Sequence, residues 1–204
     1  MGFSNESFIR EIINNIKNID YIRPEEIPNI DLYMDQVTTF MDEHLEGSKR
    51  YPEDKLLTKT MINNYTKNNL LPSPNKKKYS KEHMLLLLFI YYFKNILSIS
   101  DIQSIFEPLT EKYYDKEDGF TLEEIYKSVF ELEEEQAEYL TKDIIRKFKK
   151  SEEVFTEEEK EEDREFLQMF SFICMLSFDV YMKKMIIERL IDRILSGDDE
   201  KKKK

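Results

Sequence analysis

LTKTMINNYTKNNLLPSPNKKKYSKEH, residues Leu57–His83, decides the fold. Thr58 can cap a short helix on which Met61, Ile62 and Tyr65 are spaced to share a face, and Pro72 and Pro74 end it. The Pro-Ser-Pro-Asn-Lys-Lys-Lys turn suits a small hairpin. Ser80 then caps the run HMLLLLFIYYFKNIL, which is apolar on nearly every side and therefore belongs at the centre of a core. With a preceding helix starting near Asp31 and running through LYMDQVTTFMDEHL to Gly47, this order spells a winged helix-turn-helix. The short helix 58–69 is shaped to enter a major groove while the Lys-rich wing 73–79 grips backbone.

Charge singles out the same stretch. From Ser48 to Lys94 there are ten Lys/Arg against three acids, a net of +7, in a chain of 204 residues whose formal charge is −11. Such an asymmetry suits one part that meets a polyanion and a remainder that stays soluble. Asn63 and Asn64 offer the paired donor and acceptor that reads adenine, and Thr58, Thr60 and Thr66 are short hydroxyls for base edges or phosphates. Lys59, Lys67, Lys76, Lys77, Lys78 and Lys81 are candidate phosphate contacts, each worth about 0.9 in the salt slope per phosphate neutralised. Tyr65 and Tyr79 fit either a core position or a hydroxyl tip that reaches phosphate. The implied partner is double-stranded DNA.

Outward from this stretch, four Gly and six Pro leave few turn-formers for a many-stranded sheet, so the chain reads as mostly α. Residues 1–29 read as a bracing helix, with a cap at Ser4 and apolar positions from Phe8 to Ile19, followed by a Pro-rich connector. The DNA-binding domain spans 30–107, with a last short helix from Ser100-Asp101 halted at Pro108. A helical region, 108–197, carries dimerisation or regulation, and 198–204 is a disordered tail. From Asp115 to Glu165 twenty acids face nine bases. The final helix ends at Gly197, and its broad apolar stripe suits a homodimer contact or an intramolecular bundle.

Other chemistries find no support in these residues. Phe166–Met182 is too short, and too interrupted by Gln168 and Asp179, to span a membrane. Cys174 sits among Phe172, Ile173, Met175 and Leu176 and reads as a buried, inert thiol in a reducing cytoplasm. Cys174, His44 and His83 have no metal-ligand spacing, Gly-rich phosphate loops and nucleophile motifs are missing, and no cofactor is implied. His83 reads as an ordinary structural residue beside Tyr79. The stretch Tyr114–Phe120 imitates a calcium loop but lacks three required ligands; a turn before a helix capped by Thr121, with Glu124 as capping-box partner, fits better.

The segment resembles the N-terminal domain of MerR-type regulators. Thr58 matches that motif's helix cap, Ile62 its buried isoleucine, Tyr65 its second tyrosine, Lys67 the following base, Leu70-Leu71-Pro72 the helix exit and Tyr79-Ser80-Lys81-Glu82 the wing exit. It departs from the motif at Asn63, Asn64, Asn69 and Lys76–Lys78, and carries the long GSKRYPED insert between the two helices. More closely, IPNIDLYMDQVTTF, LTKTMINNYTKNNLLP and KKKYSKEHMLLLLFIYYFKNILSISDI resemble an uncharacterised bacterial family, a domain of unknown function of the DUF1836 type, over roughly Ile27–Phe106. The first resemblance implies DNA binding in transcriptional regulation, without catalysis. The alternative is a protein-interaction module that presents an acidic helical face such as Glu131–Glu138 to a basic partner.

Overall fold

The computed structural model describes residues 5–17, 21–116 and 118–202. Ser4, Ile19 and Lys203–Lys204, to which the sequence assigned a cap, a stripe position and part of the tail, lie outside them. Among the described residues are seven α-helices and one two-stranded antiparallel sheet. In chain order they are α1 (Asn5–Lys17), β1 (Leu32–Tyr33), α2 (Met34–His44), α3 (Lys59–Lys67), β2 (Lys78–Tyr79), α4 (Lys81–Phe93), α5 (Ile99–Tyr113), α6 (Leu122–Glu152) and α7 (Glu161–Lys202).

Two compact units result, Met1–Asp20 with Glu131–Ile186, and Tyr21–Phe130 with Ile187–Lys204. The second contains residues 57–83 and has the larger core. Every residue of α4 from His83 to Tyr91 is buried, and around it pack Val37 and Met41 of α2, Ile62 and Tyr65 of α3, Ile102 and Phe106 of α5, and Leu122 and Tyr126 of α6. An all-round apolar helix is stable in water only when neighbours enclose it, which is what the run HMLLLLFIYYF requires. Ile187 and Ile191 of α7 join this core. The other unit buries Ile9 and Ile13 of α1, Phe148 of α6 and Phe172 of α7.

Several boundaries differ from the sequence reading. Leu32–Tyr33 form a strand rather than the start of α2, because they pair with Tyr79 and Lys78 in the register Leu32↔Tyr79, Tyr33↔Lys78. The helix then starts on Tyr33, whose backbone N–H donates to Gln36 Oε1 at 2.9 Å. Pro108 does not halt its helix. α5 runs from a Ser98 cap, which accepts from Asp101 N at 3.1 Å, through Pro108 to Tyr113. A mid-helix proline costs about 3 kcal/mol, and burial of Ile102 and Phe106 on either turn before it offsets that cost. Glu107 and Pro108 both lie inside α5, and the compact units divide at 20/21, 130/131 and 186/187.

The C-terminal segment is helical through Lys202 rather than ending at Gly197 and becoming disordered. Extending an existing helix costs little per residue. Cys174 is exposed, not buried. Phe172 takes the buried side of α7, and two residues along a helix turn the side chain about 200° away. The turn before α6 forms as expected: Gly119 takes a positive φ of 86°, and Thr121 and Glu124 make a reciprocal capping box. No helix among the described residues is long and apolar enough to cross a membrane.

Candidate nucleic-acid interface

α3 begins where the Thr58 side chain accepts the Met61 backbone N–H at 3.2 Å. It ends in a left-handed Asn69 (φ 57°), with Leu70 N donating to Tyr65 O at 2.8 Å and Asn69 N to Thr66 O at 3.2 Å. This is the Schellman arrangement, in which Asn substitutes for the usual Gly. Leu70 and Leu71 then plunge into the core and fix the exit direction.

Between these caps the helix is two-sided. Ile62 and Tyr65 are buried, whereas Lys59, Thr60, Asn63, Asn64 and Lys67 are exposed. At 100° per residue those five occupy one continuous arc of about 140°. The structure thus brings together the base-reading candidates and two of the lysines. It sets apart the hydroxyls of Thr58, which serves as the cap, and of Thr66, which donates to Ile62 O at 3.2 Å. Tyr65 and Tyr79 are both core residues, and burial pushes both phenols above their ordinary pKa.

The 14-residue connector between α2 and α3 is firmly held. Ser48 Oγ and Tyr91 OH share a hydrogen bond, Leu56 and Leu57 are buried, and the Lys94 ammonium donates to Leu56 O while lying 5.1 Å from the Tyr91 ring centroid. Lys94, counted in the basic window, is therefore an internal anchor for the start of α3.

Residues 75–78 form a tight turn. Lys78 N donates to Asn75 O at 2.9 Å, and the two central residues, Lys76 and Lys77, have φ of 47° and 65°. Positive φ at both central positions is the signature of a type I′ hairpin turn, normally the place of Asn-Gly. Two lysines there cost roughly 1–2 kcal/mol each in backbone strain. Strain of this kind persists where the side chains are wanted for something else.

Lys78 Nζ lies 5.3 Å from the Tyr33 ring centroid, and Lys59 pairs with Asp35, two residues along. Lys81 is paired with Glu123 at 2.9 Å. Lys67, Lys76 and Lys77 make no ion pair within the described residues. No cluster of His, Cys, Asp or Glu suited to a metal occurs among the described residues.

His83 is a buried structural residue that holds the start of α4. Its Nδ1 accepts the Ser80 backbone N–H at 3.0 Å in place of the usual capping-box Glu, and its ring packs edge-on against Tyr79 and Tyr114 at 5.4 and 5.3 Å. Burial pushes its pKa down, while hydrogen bonding to the backbone at Pro72 and Ser73, and Asp31 nearby, pull it up; the net shift is downward. The imidazole is thus neutral at pH 7. Its unfolded counterpart takes up a proton first as pH falls, so the stability His83 contributes is complete above about pH 6.5 and is lost as pH drops through the lower folded value. Glu82, whose pKa burial raises, works in the opposite sense. Urea midpoints at about pH 7.5 and about pH 5.5 should therefore fall less in His83→Asn, whose amide oxygen can still accept from Ser80, than in the parent. An equal fall in both would remove this role.

The sequence offers one clear signal for what was missed. Lys76-Lys77 is a two-residue loop between the bridged Asn75 and Lys78, the length at which positive φ is favoured at both loop positions. No curated protein and no solved structure matches the chain. Residues 22–129, nearly the same span as the continuous part of the larger compact unit, match a family described as a domain of unknown function (DUF1836). That span is more than half of the 204 residues, and the chain belongs to this family.

Proposed function

We propose that the chain is a sequence-dependent DNA-binding protein of the winged helix-turn-helix, MerR-like type, acting in transcriptional regulation and not in catalysis. The observation that carries this reading is the continuous exposed arc of Lys59, Thr60, Asn63, Asn64 and Lys67 on a helix capped at both ends. α3 enters the major groove, with Asn63 and Asn64 against base edges and Lys59 and Lys67 near the flanking backbone. Lys76, Lys77 and Lys78 reach phosphates from the wing. The strain at Lys76 and Lys77 supports it, because a hairpin selected for stability alone would carry Asn-Gly.

A second reading has its own support. Leu132 and Tyr139 stand exposed among the acids of α6, a surface suited to a basic protein partner. Selection of sheared genomic DNA by the full-length protein at roughly 150 mM salt separates the two. The DNA-binding reading expects enrichment of a shared motif. Recovery without a motif reduces it to nonspecific affinity, and no recovery moves the function to the acidic face.

A further inference from the structure

The smaller unit buries few apolar residues and exposes many. On α7, Phe166 (67% exposed), Phe170, Ile173, Phe178 (68%) and Tyr181 face solvent, with Cys174 exposed among them. At 100° per residue the five lie within an arc of about 140°, and Cys174 falls near its middle. Taking ~200 Å² per aromatic side chain, the exposed apolar area is on the order of 600 Å². That is the upper end of what a monomer leaves uncovered, about 300–600 Å², and approaches the ~800 Å² each partner contributes to a stable complex.

Charge indicates what covers it. Residues 161–165, four acids and one arginine, carry a net −3 and precede the stripe, and residues 182–186 carry +2 from Lys183 and Lys184 and follow it. A partner of uniform charge is attracted at one end and repelled at the other. A second copy running parallel sets acid on acid and lysine on lysine. A second copy running antiparallel sets each acidic end against a lysine end. The midpoint between these two blocks falls at Ile173–Cys174, which is also the middle of the apolar stripe.

We propose that α7 pairs antiparallel with α7 of a second copy, with the two-fold axis at Ile173–Cys174. In that register Phe166 of each copy meets Tyr181 of the other, and Phe170 meets the small Ser177. An isologous contact of this kind closes at two copies. It stands independently of the DNA-binding reading.

Sedimentation of the full chain at roughly 10 µM should show a dimer, with Phe170→Glu raising its dissociation constant at least tenfold and leaving the circular dichroism unchanged. Direction is read from nitroxide labels. A label at Lys183→Cys in a Cys174→Ser chain should lie about 30 Å from its mate, because about nineteen residues of helix rise separate the two. A label on Cys174 itself should lie near its mate. A monomer at this concentration, or a separation near 10 Å for the position-183 labels, overturns the proposal.

Discussion

Replacing Lys76, Lys77 and Lys78 together by alanine will weaken duplex binding about a hundredfold at roughly 150 mM salt and lower the salt slope by up to about 2.7. The slope follows from about 0.9 counterions per phosphate contact, and the loss of affinity follows from applying that slope at this ionic strength. The turn geometry adds a second arm. Lys76→Asn with Lys77→Gly installs residues that favour the left-handed region these positions already occupy (φ 47° and 65°), so the variant should gain on the order of 1 kcal/mol in stability. It should nevertheless lose two units of charge from the wing tip and about 1.8 from the slope. Opposite signs for stability and affinity mark a site held under strain for its side chains. If filter binding shows the same slope for this variant and its parent, Lys76 and Lys77 do not touch phosphate, and only Lys78 and α3 remain as contacts.

The elements that were legible in the sequence are those with a local cause. Thr58 and Thr121 announce their helices through side-chain caps, and the run from His83 to Tyr91 can only be a buried helix. The arc on α3 was likewise readable, since two buried positions at 62 and 65 fix which residues face out. What escaped depends on distant partners. β1 is two residues long and exists because Lys78 and Tyr79 lie alongside it. Pro108 continues a helix because Phe106 packs against Phe89 and Phe93 at 6.4 and 6.2 Å. Cys174 has apolar neighbours in sequence, yet its side of α7 is set by Phe172 packing on Phe148 at 5.5 Å. Local composition gives no hint of such choices, because a helix has two sides and only tertiary contact decides which one is covered.

The largest loss of stability should come from Tyr126, which nothing in its local sequence marks out. Its ring is fully buried, 4.1 Å from the Phe130 centroid and 5.2 Å from that of Phe89. Its hydroxyl donates to the Ile22 carbonyl at 2.8 Å across 104 residues of sequence. That bond joins the first residue of the family span to the helix in which the span ends, at residue 129. Burial pushes the phenol pKa well up, so the hydroxyl keeps its proton and remains a donor throughout the neutral range. Tyr126→Phe keeps the ring and leaves the Ile22 carbonyl without this donor, at a cost of about 1–3 kcal/mol. Tyr126→Ala also opens a cavity beside α4 and should cost about 3–5 kcal/mol. Urea titrations of the full chain would resolve both, with the slope against urea unchanged if the unfolded state is unaffected. Should Tyr126→Phe fall within about 0.5 kcal/mol of the parent, the ring alone would hold the ends of the domain together, and the hydrogen bond would be incidental.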